Sequence, residues 1–152
     1  MPRLKVVAHK KSGQLLKGYA ELPVPVEVTP LSSHGPVVLP KSIDVTPEDG
    51  GKPVHVSVDS LKAVFFVKTF EGDSTYSETR FFNPEPRIEG LWVHVTFQDG
   101  EATEGIIHNS IGFLNEPGFL LKPPDLQSNN QAVYVLKNAL SEFRVVGVRT
   151  SY

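Results

Sequence analysis

Hydrophobic and polar positions alternate with a period of two through most of this chain. Val93, Val95 and Phe97 alternate with Trp92, His94 and Thr96. That is the spacing of a strand with one buried face, because successive side chains on a strand point to opposite sides. Asp99-Gly100 follows and predicts a two-residue type I′ turn, which needs positive φ at both central positions. The same arrangement stands earlier in the chain. Residues 4–18 lie over 91–105 without a gap, with Leu4 on Leu91, Val6 on Val93, Gly13 on Gly100 and Gly18 on Gly105. Lys10 stands where the later copy has Phe97, so the first copy has the poorer core face. Gly18 and Gly105 each follow a turn glycine by five positions, where a strand glycine marks a bulge or sharp bend. Such a bend lets a short sheet coil toward a barrel.

A second ungapped match sets residues 54–67 over 133–146, so the chain reads as one small β unit written twice. Strands are predicted over 37–45, 54–58 and 63–68, and again over 118–122, 132–136 and 142–148. Asp59-Ser60-Leu61 and Asn138-Ala139-Leu140 predict a 3₁₀ turn between the last two strands of each copy. Residues 22–36 carry four prolines with Ser32-Ser33 and Gly35, and a run that lacks so many donors cannot sit in a central ladder. Between the copies, Tyr76, Phe81 and Phe82 are too apolar for a free Gly/Ser-type linker and predict a segment packed onto a barrel. The expected fold is therefore all-β: two tandem small SH3/Sm-like five-stranded barrels related by internal duplication. They occupy residues 1–69 and 91–152, with 70–90 as the packed linker. Units of about 65 residues bury only about 60% of their unfolded surface, so each half needs the other, or another subunit.

In the second barrel, Val93, Val95, Phe97, Leu121, Val133, Val135, Leu140, Phe143 and Val145 are expected to converge in one interior, because they fall at alternate or closing positions of the five strands.

Composition narrows the function classes. The net charge is −2 and the pI is about 6.2, so no global positive field recruits a polyanion, and nucleic acid is disfavoured as a partner. There is no cysteine among the 152 residues, which removes disulfides and thiolate metal sites. No apolar run approaches the length of a membrane span, and residues 1–5 lack the apolar region of a leader. The expectation is a cytoplasmic protein that does not engage a membrane.

Single-residue chemistry is sparse. The histidines at 9, 34, 55, 94 and 108 are scattered without i, i+3 or i, i+4 pairs, which leaves no zinc-site spacing. Glu48/Asp49 and Glu71/Asp73 lie in turn-like contexts, where carboxylates are solvated and have no burial to separate their pKa values. Gly50-Gly51-Lys52 runs into Pro53 and a strand, so it is a turn and not a phosphate loop. Asn129-Asn130 reads as a tight turn using left-handed φ. No metal, cofactor or catalytic residue is expected, and the chain is read as a non-enzyme.

Three resemblances add to this reading. Five strands, a long early connection and a 3₁₀ turn before the last strand resemble SH3-like and Sm-like barrels, and the hairpin with its later glycine is similar to the first half of the Sm motif. The polar pair and the Gly-bearing turn of Sm-type RNA sites are absent; Asp59-Ser60-Leu61 and Asn138-Ala139-Leu140 stand in the latter's place. Arg80, Phe82 and Arg87 ahead of a β-barrel resemble the arginine pair of PilZ-type cyclic-dinucleotide receptors, which implies an anionic ligand gripped by guanidinium forks and stacking. The spacing is seven rather than four, and the nearest analogue of the accompanying motif is Asn109-Ser110-Ile111-Gly112. Over its whole length the chain is similar to an uncharacterised bacterial family. Residues 61–73 (LKAVFFVKTFEGD) and 118–135 (GFLLKPPDLQSNNQAVYV) carry that likeness. The function expected is a non-enzymatic binding or assembly module in a bacterial regulatory context, with a protein partner or a second copy of itself. The alternatives are a PilZ-like nucleotide sensor and an Sm-like RNA binder.

Overall fold

The computed structural model describes residues 3–24, 38–71, 90–108, 112–123 and 129–149. The chain is all-β. The first five strands are β1 (Arg3–Lys10), β2 (Leu15–Glu21), β3 (Ser42–Pro47), β4 (Val54–Ser57) and β5 (Leu61–Val67). They are followed by β6 (Gly90–Phe97), β7 (Ala102–Ile107), β8 (Gly118–Lys122), β9 (Asn130–Leu136) and β10 (Leu140–Arg149). Single 3₁₀ turns, Val58–Ser60 and Lys137–Ala139, precede β5 and β10, and one helical turn, α1 (Gly112–Asn115), precedes β8. The third strand begins later than its sequence pattern predicts, at Ser42 instead of 37. Pro40 lies just upstream and has no amide to give a ladder.

All ten strands belong to one open antiparallel sheet, in the order β10-β6-β7-β8-β9-β5-β1-β2-β3-β4. The expected architecture was two barrels, each closed on itself. Instead β5 pairs with β9, setting Ala63 opposite Val135 and Phe65 opposite Val133, so the halves are joined edge to edge. Within each half the order is the same: β4-β3-β2-β1-β5 and β9-β8-β7-β6-β10. The registers correspond pair for pair. Val6 faces Phe66 as Val93 faces Val145, and Ile43 faces Val56 as Phe119 faces Val135. Even the slip in the ladder recurs, skipping Lys62 between β1 and β5 and Ser141 between β6 and β10.

The hairpin turns differ from the expected type I′ form. Gly100 N–H donates to the Phe97 carbonyl and Phe97 N–H to the Glu101 carbonyl. Gly100 is at φ 93°, while among the described residues no non-glycine residue has positive φ. This is a three-residue loop with glycine in the left-handed position, a bulged turn, and Lys10, Gly13 and Gln14 repeat it. It tolerates Asp99 in an ordinary conformation, which a type I′ turn would not. Gly18 and Gly105 were expected to mark a bulge or sharp bend; the ladders run through both without a register shift, and the glycines instead admit a close approach of the neighbouring strand. A Cβ on Gly18 would fall on the Thr46 carbonyl oxygen, and one on Gly105 would fall on the Lys122 carbonyl oxygen and the Leu121 side chain.

Two apolar clusters lie on opposite faces of the sheet. One holds Ala63, Val93, Val95, Phe97, Ile107, Phe119, Leu121, Val133, Val135 and Ala139, with Phe65, Leu140 and Phe143 packed against it. This is the predicted interior of the second half, with one exception. Val145 is 52% exposed. The other cluster gathers Val6, Ala8, Val45, Val56, Val64 and Phe66 of the first half with Trp92, Ile106, Leu120 and Tyr134 of the second. Each cluster therefore draws on both halves, since Ala63 and Phe65 complete one and the outer face of β6–β9 completes the other. That sharing answers the small-unit problem, because neither half alone would bury enough apolar surface.

Candidate functional site

The outer edge of β10 is the most unusual surface among the described residues. Val145, Val146 and Val148 are 52%, 51% and 63% exposed, on a strand whose one ladder among the described residues is with β6. The matching strand of the first half shows what changes. Phe66 occupies the same ladder position in β5 as Val145 in β10, and it and Val67 are 1% and 6% exposed because β9 lies alongside them; Val146 falls at a second slip of the β6–β10 ladder. An unpaired edge presents a row of free N–H and C=O groups, and contiguous exposed apolar side chains mark interaction surfaces. At the opposite end of the sheet β4 pairs, among the described residues, with β3 alone, and Val54 is exposed where its counterpart Val133 is buried.

The occupied junction shows how such an edge is secured. Lys62, at the skipped position of the β1–β5 ladder, is buried, and its Nζ lies 2.7 Å from Asp99 Oδ2 and 3.1 Å from Glu101 Oε2 on the turn of the other half. It also stands 4.6 Å from the Phe97 ring centroid, a cation–π distance. The hydrogen bond from Lys62 holds the Asp99 carboxyl below its ordinary pKa, helped by the backbone N–H of Glu101. His9 sits beside this ammonium with its ring 4.3 Å from that of Phe65. Burial, and then the Lys62 charge, push His9 below its ordinary value, against the opposing pull of Glu101 and Asp99. At the other end of the junction, Asn129 Oδ1 accepts from the Thr69 N–H at 3.0 Å and its Nδ2 donates to the Thr69 carbonyl at 3.0 Å. Asn129 was expected to supply a left-handed turn. It has no positive φ and instead ties β9 to the end of β5.

Two open grooves lie elsewhere among the described residues. One open groove of about 510 Å³ runs past Arg3, Tyr19, Ser42 and Asp44, with the Arg3 guanidinium 4.3 Å over the Tyr19 ring. A second, of about 480 Å³, has Glu48, Asp49, Lys17 and Phe70 along it, and Phe70 meets Tyr19 edge-on at 5.4 Å. Tyr76, Phe81 and Phe82, on which the expected packing of segment 70–90 rests, lie outside the described residues. Neither groove gathers a buried polar group with a partner at catalytic distance. Among the described residues no three His, Asp or Glu side chains are placed to hold a metal ion, and no helix is long and apolar enough to cross a membrane. The exposed side chains of His55 and Asp44 pair at 2.7 Å across β3 and β4. The candidate ligand residues Arg80, Phe82 and Arg87 lie outside the described residues. Lys62 and Asn129 were missed as site residues, since nothing in a local pattern says that a lysine in an apolar strand will reach a turn 37 residues away.

Fold and edge define an all-β chain of corresponding five-strand halves, bound to each other by strand pairing and open at both ends. It belongs to the Family of unknown function (DUF6982), whose model matches residues 2–147. Nothing among curated proteins or solved structures matches the chain.

Proposed function

We propose that this chain is a non-enzymatic binding module that engages a protein partner by strand addition along β10. Each half is read as an SH3/Sm-like five-stranded unit, at residues 1–69 and 91–152 with 70–90 between them, and the pair as an internal duplication. The setting is read as the bacterial cytoplasm, within a regulatory assembly. The observation that carries the reading is the exposure of Val145, Val146 and Val148 on an unpaired edge. Strand addition suits such an edge, since main-chain hydrogen bonds supply affinity and alternate side chains supply selectivity.

Cross-linked pull-down from native lysate, with wild type and with Val145→Lys/Val148→Lys, tests it. Both positions are exposed, so the variant keeps its core. Wild type should recover a stoichiometric protein, a second copy of the chain included, and the variant should lose it. Recovery of no partner, or equal recovery by both, contradicts the proposal.

A further inference from the structure

We infer that the occupant of the β10 edge is the β4 edge of a second copy of this chain, paired head to tail in the register that β5 and β9 use internally. This rests on the reading of β10 as a docking edge and names its partner. The argument is one of correspondence. β10 has the position in the second half that β5 has in the first, and β4 has the position in the first half that β9 has in the second. The chain thus already contains one copy of this junction, β5 on β9, and carries the two unpaired halves of another at its ends.

Transferring the register sets Arg144 opposite Val54 of the second copy, as Phe65 is opposite Val133, and Phe143 opposite His55, as Val64 is opposite Tyr134. The same register sets Val145 opposite Pro53, as Phe66 is opposite Ala132, and covers Val54, whose internal counterpart Val133 is buried. The clasp of the internal junction, Lys62 on Asp99 and Glu101, has no charged counterpart between copies: Ser141 stands where Lys62 does, and Ser12 and Gln14 stand where Asp99 and Glu101 do. Because the two surfaces differ, the contact is heterologous and propagates into a ring or a filament.

The chain has no cysteine, so introduced thiols report on themselves alone. Opposed residues on antiparallel strands have Cα atoms about 4.5–5.5 Å apart, within the roughly 4.4–6.8 Å that a disulfide spans. Mixing Arg144→Cys with Val54→Cys under mild oxidation should give a covalent dimer containing one of each, while either variant alone gives none. The double variant should give a ladder of multimers, and Val145→Lys in the wild-type chain should shift sedimentation to monomer. Cross-linking of Arg144→Cys with itself would show a β10–β10 contact and overturn the inference. So would a chain that stays monomeric at all concentrations and forms no mixed dimer. In that last case, a lysate partner lost on Val145→Lys/Val148→Lys leaves the docking-edge reading standing and removes only the second copy. Absence of both removes the two together.

Discussion

Lys62 is the residue on which the union of the two halves is most exposed to attack. Its ammonium is buried, whereas Asp99 and Glu101 are about half or more exposed, so removing the lysine charge leaves carboxylates that water can solvate. Lys62→Met, which keeps a long apolar stem against Phe97, should therefore cost within about 1 kcal/mol. Lys62→Glu places a third carboxylate in a buried position against two others and should cost about 3–5 kcal/mol. Urea unfolding separates the two, and equal losses would contradict the clasp. His9 supplies the pH dependence. Its folded pKa lies below the ordinary value, so the unfolded chain binds the proton first. The contribution of His9 is full above about pH 6.5 and is lost as pH falls from there toward the folded pKa. His9→Asn should flatten the urea stability profile over that interval, and an unchanged slope would show that His9 is not held neutral.

At the scale of elements, much of the fold was legible. Alternation in 92–97 and the ungapped matches of 4–18 with 91–105 and 54–67 with 133–146 reappear as corresponding ladders, because a strand's side-chain period and its partner's register are coupled. The turn was placed correctly and typed wrongly, since Asp-Gly fits both a type I′ turn and the bulged turn found here. The interior of the second half was read well except at Val145. That failure has one cause: interior placement assumed a barrel that closes, whereas β9 pairs with β5 and leaves Val145 at an open edge. Pairing between partners as far apart in sequence as Ala63 and Val135 is a long-range choice that no local pattern encodes. Stability measurements should follow the burial. Phe97, only 3% exposed, should cost about 3–5 kcal/mol on truncation to alanine. Phe143, packed from the side against the same cluster and edge-on to Phe119 at 5.6 Å, should cost clearly less, and Gln98→Ala at the exposed turn should be nearly silent. A Phe143→Ala loss equal to that of Phe97→Ala would mean that β10 is covered in the isolated chain.

For the whole molecule, the central claim is that one sheet runs through both halves by way of β5 and β9, which is why β10 and β4 are left open. The candidate edge was not legible in the sequence for the same reason. Val145, Val146 and Val148 look like core residues until the strand that should cover them is found beside β5. The most direct measurement places cysteines at Phe65 and Val133, opposed in the β5–β9 ladder, in a chain that has no others. Mild oxidation of the dilute double variant should close a disulfide within the monomer, visible as a mobility shift on a non-reducing gel and as intact monomer by mass. Failure to cross-link, or cross-linking only between chains, would mean that the halves are not joined along β5 and β9, and would contradict the account.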